Sequence, residues 1–162
     1  MSRDFLSFNN RIINLDESTV NPLRYSSLKT LNEVHNIGEV WANILYNVYA
    51  ALVGVHGWSA LARTNTAGTE GNIVFMHLFI DSLPLQPCNP TCMCPNFTAE
   101  GILIGSTPFS HTVLTARNAW IQADVNRFGG ANKCTLWHAF ASRGLGVNAA
   151  NHNDDSTVPA GC

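Results

Sequence analysis

Residues 31–55, LNEVHNIGEVWANILYNVYAALVGV, form the longest unbroken helical pattern in the chain, and whatever else folds here must pack against it. Val34, Ile37, Trp41, Ile44, Leu45, Val48, Leu52 and Val55 recur at steps of three and four. That spacing draws one apolar stripe along a helix of about seven turns. His35 stands at the start of this helix, on the border of the stripe, where an imidazole can reach a cleft. A lone histidine in such a place is more often a half-buried structural residue hydrogen-bonded to a neighbour. Spacing alone does not make it chemical.

The chain has 162 residues, one domain's worth or one lobe of a larger domain. Charged residues make up only 12% of it and sum to −2 with no basic run, so the clustered Lys and Arg of a nucleic-acid footprint are missing. No run of about 18 apolar residues exists, which excludes a helical membrane span. The opening MSRDFLSFNNRIINLDESTV places charges at Arg3 and Asp4, then polar residues where a signal peptide has its apolar segment. As given, the residues carry no export signal. The five cysteines are Cys88, Cys92, Cys94, Cys134 and Cys162, and an odd number leaves one thiol unpaired or intermolecular. Low charge with many Asn, Thr and Ser suits a secreted protein. The missing signal and the odd cysteine together point to a piece of something longer.

Residues 1–27 have weak periodicity and read as an irregular extension. Ser26 or Ser27 can begin the first helix, or Thr30 and Glu33 can form a capping box. Gly54, Gly57 and Trp58 end it, and residues 63–71 are turn-rich. A second helix is expected over 72–85, apolar on most faces and therefore central, with His77 a satisfied core histidine and Pro84 and Pro87 closing it. Its IVFM stretch also suits a strand, but the total length favours helix. Asn89 and Pro90 look like a helix start, yet Pro95, Gly101, Gly105 and Pro108 follow, and a helical pattern resumes only at Val113. Deleting 92–112 joins Asn89-Pro90-Thr91 to Val113 in one capped helix. The expectation is an insertion, such as a translated intron, over 92–112, carrying Cys92 and Cys94. Gly129-Gly130 end the third helix. Asn132 caps a fourth, with Leu136, Trp137 and Phe140 buried and Gly144 at its stop, and 145–162 reads as loop. The fold class is all-α, about four helices packed as a lobe.

Cys88-x3-Cys92-x-Cys94 invites a zinc site but lacks a second ligand pair. Cys88 and Cys134 each precede a helix start and make a candidate disulfide in an oxidising compartment; pairing of Cys88 with Cys162 stays open. Asn96-Phe97-Thr98 is a glycosylation sequon of a kind frequent by chance. Asp154 and Asp155 read as a solvated turn, since calcium needs more oxygen ligands. His35 and Glu39, one turn apart, suit two metal ligands or an ion pair, and the pair is commoner. HExxH, P-loop and GxSxG are absent from the sequence.

The strings LNEVHNIGEVWANILYNVYAAL, EGNIVFMHLFIDSLPLQPCNPT, ARNAWIQADVNRFGGANKCTLWHAFASRGLG and VPAGC resemble the fungalysin family, secreted fungal zinc metalloendopeptidases with a thermolysin-related catalytic domain. The resemblance covers 20–91 and 113–162. It implies that 28–162 is the C-terminal helical lobe of that domain. The family's HExxH helix and its downstream zinc-ligating Glu would precede this chain, and neither Glu33 nor Glu39 can replace that Glu. It implies no metal ligand here and zinc only in the complete enzyme. It gives His35 the role of the histidine that donates a hydrogen bond to the oxyanion formed when zinc-bound water attacks the peptide carbonyl, an effect worth about 3 to 4 kcal/mol of barrier. Thermolysin orients that histidine with a preceding aspartate; Thr30 stands in the corresponding place here, with Glu33 the nearest acid. The implied partners are protein substrates, the N-terminal lobe and the prodomain, with no nucleic acid and no membrane, outside the cell. Without the zinc ligands the chain alone is expected to be inactive. The alternatives are a non-catalytic helical binding module and the product of a degraded gene.

Overall fold

The computed structural model describes residues 7–8, 11–12, 23–86 and 110–162. A two-residue antiparallel ladder, β1 (Ser7–Phe8) with β2 (Arg11–Ile12), precedes a 3₁₀ turn, Tyr25–Lys29. Four helices follow: α1 (Val34–His56), α2 (Gly71–Ser82), α3 (Ser110–Phe128) and α4 (Lys133–Ala141). They close a ring in which α1 touches α2 and α4, and α3 touches the same two. The described lobe is all-α apart from the short ladder, as the periodicity predicts.

The stripe on α1 forms the floor of the core, with Val40, Ile44, Val48 and Leu52 fully buried. Val40 falls outside the predicted stripe. Val34 and Val55 fall inside it yet are 48% and 63% exposed, at the two ends of the helix. Trp120 of α3 fills the centre, its ring 5.2 Å from Phe75 and 6.4 Å from Phe140, and Trp41 stacks on Phe140 at 6.2 Å.

The start of α1 differs from both sequence expectations. Ser26 and Ser27 lie in the 3₁₀ turn, and the Thr30–Glu33 box is not made. Glu33 is itself the N-cap, its Oε2 accepting from the amides of His35 at 2.9 Å and Asn36 at 3.4 Å. A carboxylate there satisfies orphan amides and complements the helix dipole. At the other end Gly57 takes φ +76°, as a glycine stop requires.

The second helix stops at Ser82, and Pro84 lies in a 3₁₀ turn, Leu83–Leu85. It is not central on all faces. Ile73, Val74 and Leu78 are buried, whereas Met76 and Ile80 are 52% and 55% exposed. His77 is satisfied but half-buried rather than in the core, its Nε2 2.8 Å from the Thr66 carbonyl. Gly71 lets α2 approach α1 closely: a Cβ there would lie 2.3 Å from the Leu52 carbonyl.

The backbone of α3 is already helical at Ser110, inside the stretch read as an insertion; residues 87–109, with Cys88, Cys92, Cys94 and the sequon, lie outside the described residues. Trp137 of α4 is half-buried rather than buried, under the Arg117 guanidinium at 4.7 Å. Arg117 also donates to the carbonyls of Leu145 and Gly146, at 3.1 and 2.6 Å, which pins the start of the tail. Cys134 is bonded to Cys162, a pairing different from the Cys88–Cys134 bridge that the helix starts suggested. The acidic pair in the tail is solvated, with Asp154 exposed and Asp155 half-buried, but it also makes specific hydrogen bonds. Asp154 accepts from the amide and hydroxyl of Ser26, at 2.7 and 2.9 Å, and Asp155 accepts from the Asn148 amide at 2.9 Å and from Thr157.

Candidate functional site

His35 lies in the first turn of α1, where the cap positions it. Its Nδ1 is 2.7 Å from Glu33 Oε1, and Glu33 Oε2 takes the His35 amide at 2.9 Å. One carboxylate thus holds the residue by ring and by backbone. His35 and Glu33 side chains are 89% and 53% exposed, so the Nε2 edge of the ring is open to whatever approaches this end of the helix. The carboxyl of Glu33 is held below the usual range first by its side-chain bond to His35, which desolvation opposes, and then by the His35 and Asn36 amides. The expected His35–Glu39 pair is not what forms: the ring turns back to Glu33, two residues away, rather than forward one turn.

The sequence reading lets His35 reach a cleft. Among the described residues one groove, away from His35, runs between α1 and α4, lined by Asn47, Ala51, Val55, Thr135, His138 and Ser142, with a volume of about 490 Å³. His138 there directs Nε2 to the Cys162 carbonyl at 3.1 Å, so it ties down the tail.

Among the described residues no three His, Cys, Asp or Glu side chains gather as a metal site would require. A tetrahedral zinc site needs at least three protein ligands. The described residues therefore do not fit zinc.

Sequence reasoning missed one polar cluster. Asp124 is fully buried and accepts from Asn132 at both oxygens, from the amide at 3.0 Å and from Nδ2 at 2.7 Å. His56 Nε2 lies 2.6 Å from Asn132 Oδ1. The end of α1, α3 and the start of α4 are tied by these three side chains. The signal in the sequence was an Asp directly after Ala123 on the buried face of α3.

The sequence model of the fungalysin metallopeptidases matches residues 11–96 and 98–149. The chain belongs to the fungalysin family. This fungalysin chain is 41% identical over 152 residues to the extracellular metalloproteinase MEP of Pyricularia oryzae, an alignment covering 88% of the chain and 21% of that protein. It is 37% identical over 153 residues to the extracellular metalloproteinase mep of Aspergillus niger, covering 89% and 21%. Extracellular metalloproteinase 3 of Trichophyton rubrum is 38% identical over 149 residues, covering 88% and 20%. The chain thus spans about a fifth of the length of the curated relatives it matches. The fungalysin match takes in residues 11–19, 92–96 and 98–112, which lie outside the span of the resemblance read from the sequence.

Proposed function

We propose that this fungalysin chain is the C-terminal helical lobe, over residues 28–162, of an extracellular zinc metalloendopeptidase that hydrolyses internal peptide bonds. Its part in that reaction is His35. The observation that carries the reading is the geometry at the start of α1: the ring is held at Nδ1 by Glu33, and its other edge is open. A hydrogen-bond donor held on a rigid element, aimed at charge that develops as a carbonyl is attacked, lowers the barrier without reorganising. Within this chain His35 binds no metal and takes no proton from water; it steadies the oxyanion. Zinc binding and water activation belong to a zinc-bearing N-terminal lobe, the partner against which this lobe would form the substrate cleft. The chain alone is inactive. Protein substrates and the prodomain are its other partners, and it works outside the cell.

The test is a reconstituted enzyme, this chain combined with the HExxH-bearing part of a fungalysin, assayed on an internally quenched peptide. His35→Ala is expected to lower kcat about 100-fold with little change in KM, as loss of a single oxyanion donor does. Wild-type kcat in that variant would remove His35 from the mechanism.

A further inference from the structure

We infer that the outer face of α1, from His35 to Tyr49, is the surface on which the zinc-bearing N-terminal lobe seats, with its backbone closest at Gly38. This rests on the role proposed for His35, which needs that lobe to bring a carbonyl to the open edge of the ring.

The face follows from the helix period. Gly38, Ala42, Tyr46 and Tyr49 follow His35 at steps of three and four, so all five share one side of α1, turned away from the buried stripe. A helix face that stays in water carries charged and polar residues. The 23 residues of α1 hold a single Asp, Glu, Lys or Arg, which is Glu39 at the border of this face. Among the described residues Gly38 and Ala42 are exposed, and Tyr46 and Tyr49 half-buried. The two tyrosine rings stack at 6.1 Å, and Tyr49 meets Phe75 of α2 edge-on at 5.3 Å. Phe75 in turn stacks at 6.4 Å on Phe79, which is 36% exposed. The apolar surface thus runs from the side of His35 onto α2, and a contiguous surface of this kind marks an interface.

Gly38 points the same way. A glycine inside a helix is destabilising relative to alanine, and its use is to let another backbone come close. Gly71 has that reason within the lobe, in the Leu52 carbonyl. Gly38 has none: among the described residues nothing lies within 4 Å of the place its Cβ would take. With Ala42 one turn on, it leaves a low stretch of helix beside His35 that fits an approaching apolar element. A second copy of this chain is the wrong occupant, because an identical face seated here would close the open edge of the His35 ring. The matched stretch is about a fifth of each curated relative, which leaves ample chain in those proteins for a covering lobe.

The test titrates this chain against a tagged HExxH-bearing part of a fungalysin, refolded in its presence, and reads the complex recovered rather than activity. Gly38→Leu is expected to leave the chain's own urea midpoint at or above wild type, since leucine favours a helix and has room there. The same variant is expected to raise the concentration for half-recovery about 10-fold. Ala42→Glu, at an exposed position of the same face, is expected to weaken recovery as well. Gly54→Leu, in the last turn on another side of α1 and with the same open space, is expected to bind as wild type. Equal recovery for Gly38→Leu and wild type would overturn the inference, as would no complex with the wild-type chain. A self-associated wild-type chain that Gly38→Leu turns into monomer would overturn it too, by making a second copy the occupant. The role of His35 is read separately, in kcat. A fall in kcat for His35→Ala beside equal recovery for Gly38→Leu would keep that role and reject this face.

Discussion

A buried carboxyl group is costly unless its oxygens are taken, and both oxygens of Asp124 are. Asp124→Ala strands the Asn132 amide and side chain inside the lobe, and the expected loss is about 2 kcal/mol in urea unfolding. Asn132 shows what single residues reveal in sequence. Its place before α4 was legible from local spacing, although its side chain makes no cap hydrogen bond there. Its service to Asp124 and His56 was not, because those contacts join residues 8 and 76 positions away. Asp155 carries a pH dependence. Its carboxyl is held below the ordinary 3.8 first by Thr157 and then by the Asn148 amide. A depressed carboxyl stabilises the fold above its unfolded pKa and ceases to as pH falls through the folded value. The tail should therefore be fully anchored above about pH 4 and loosen below it. Urea midpoints measured from pH 6 to pH 3 should fall, and fall less steeply in Asp155→Asn.

At the level of elements, α1 was the most readable part, since its stripe is a property of spacing alone. Its ends were not. Whether Ser26, Thr30 or Glu33 begins the helix depends on the 3₁₀ turn at Tyr25–Lys29, which is held through Ser26 by Asp154 from 128 residues away. The face of α2 was misread for a related reason: Met76 and Ile80 are as apolar as Ile73 and Leu78, so composition could not tell the covered face from the open one. The α1–α2 contact makes a sharp prediction. Gly71→Ala puts a methyl 2.3 Å from rigid backbone at Leu52, so the helices must move apart. A loss of about 1 to 3 kcal/mol is expected from such overpacking, and thermal unfolding would show it. An unaltered midpoint would mean that the helices do not meet there.

For the whole molecule, fold class was legible and the closing of the tail was not. Four helical patterns with short connections already imply an all-α lobe, whereas pairing among cysteines depends on where 145–162 lies after folding. The bridge from Cys134 to Cys162 closes a separation of 28 residues. In the chain-entropy picture, reducing it should cost about 3.5 kcal/mol, visible as a lower unfolding midpoint under reductant. The VHxIG string drew attention to His35, for which the role is proposed, whereas its contact with Glu33 emerged only from the cap geometry. The central claim is that this lobe completes a fungalysin peptidase and supplies no metal of its own. The most direct measurement is peptide cleavage by the chain alone with zinc, by the HExxH-bearing part alone, and by the two combined. Cleavage only in the combination is the predicted result. Zinc-dependent cleavage by the chain alone, or no gain on combining the parts, would contradict it.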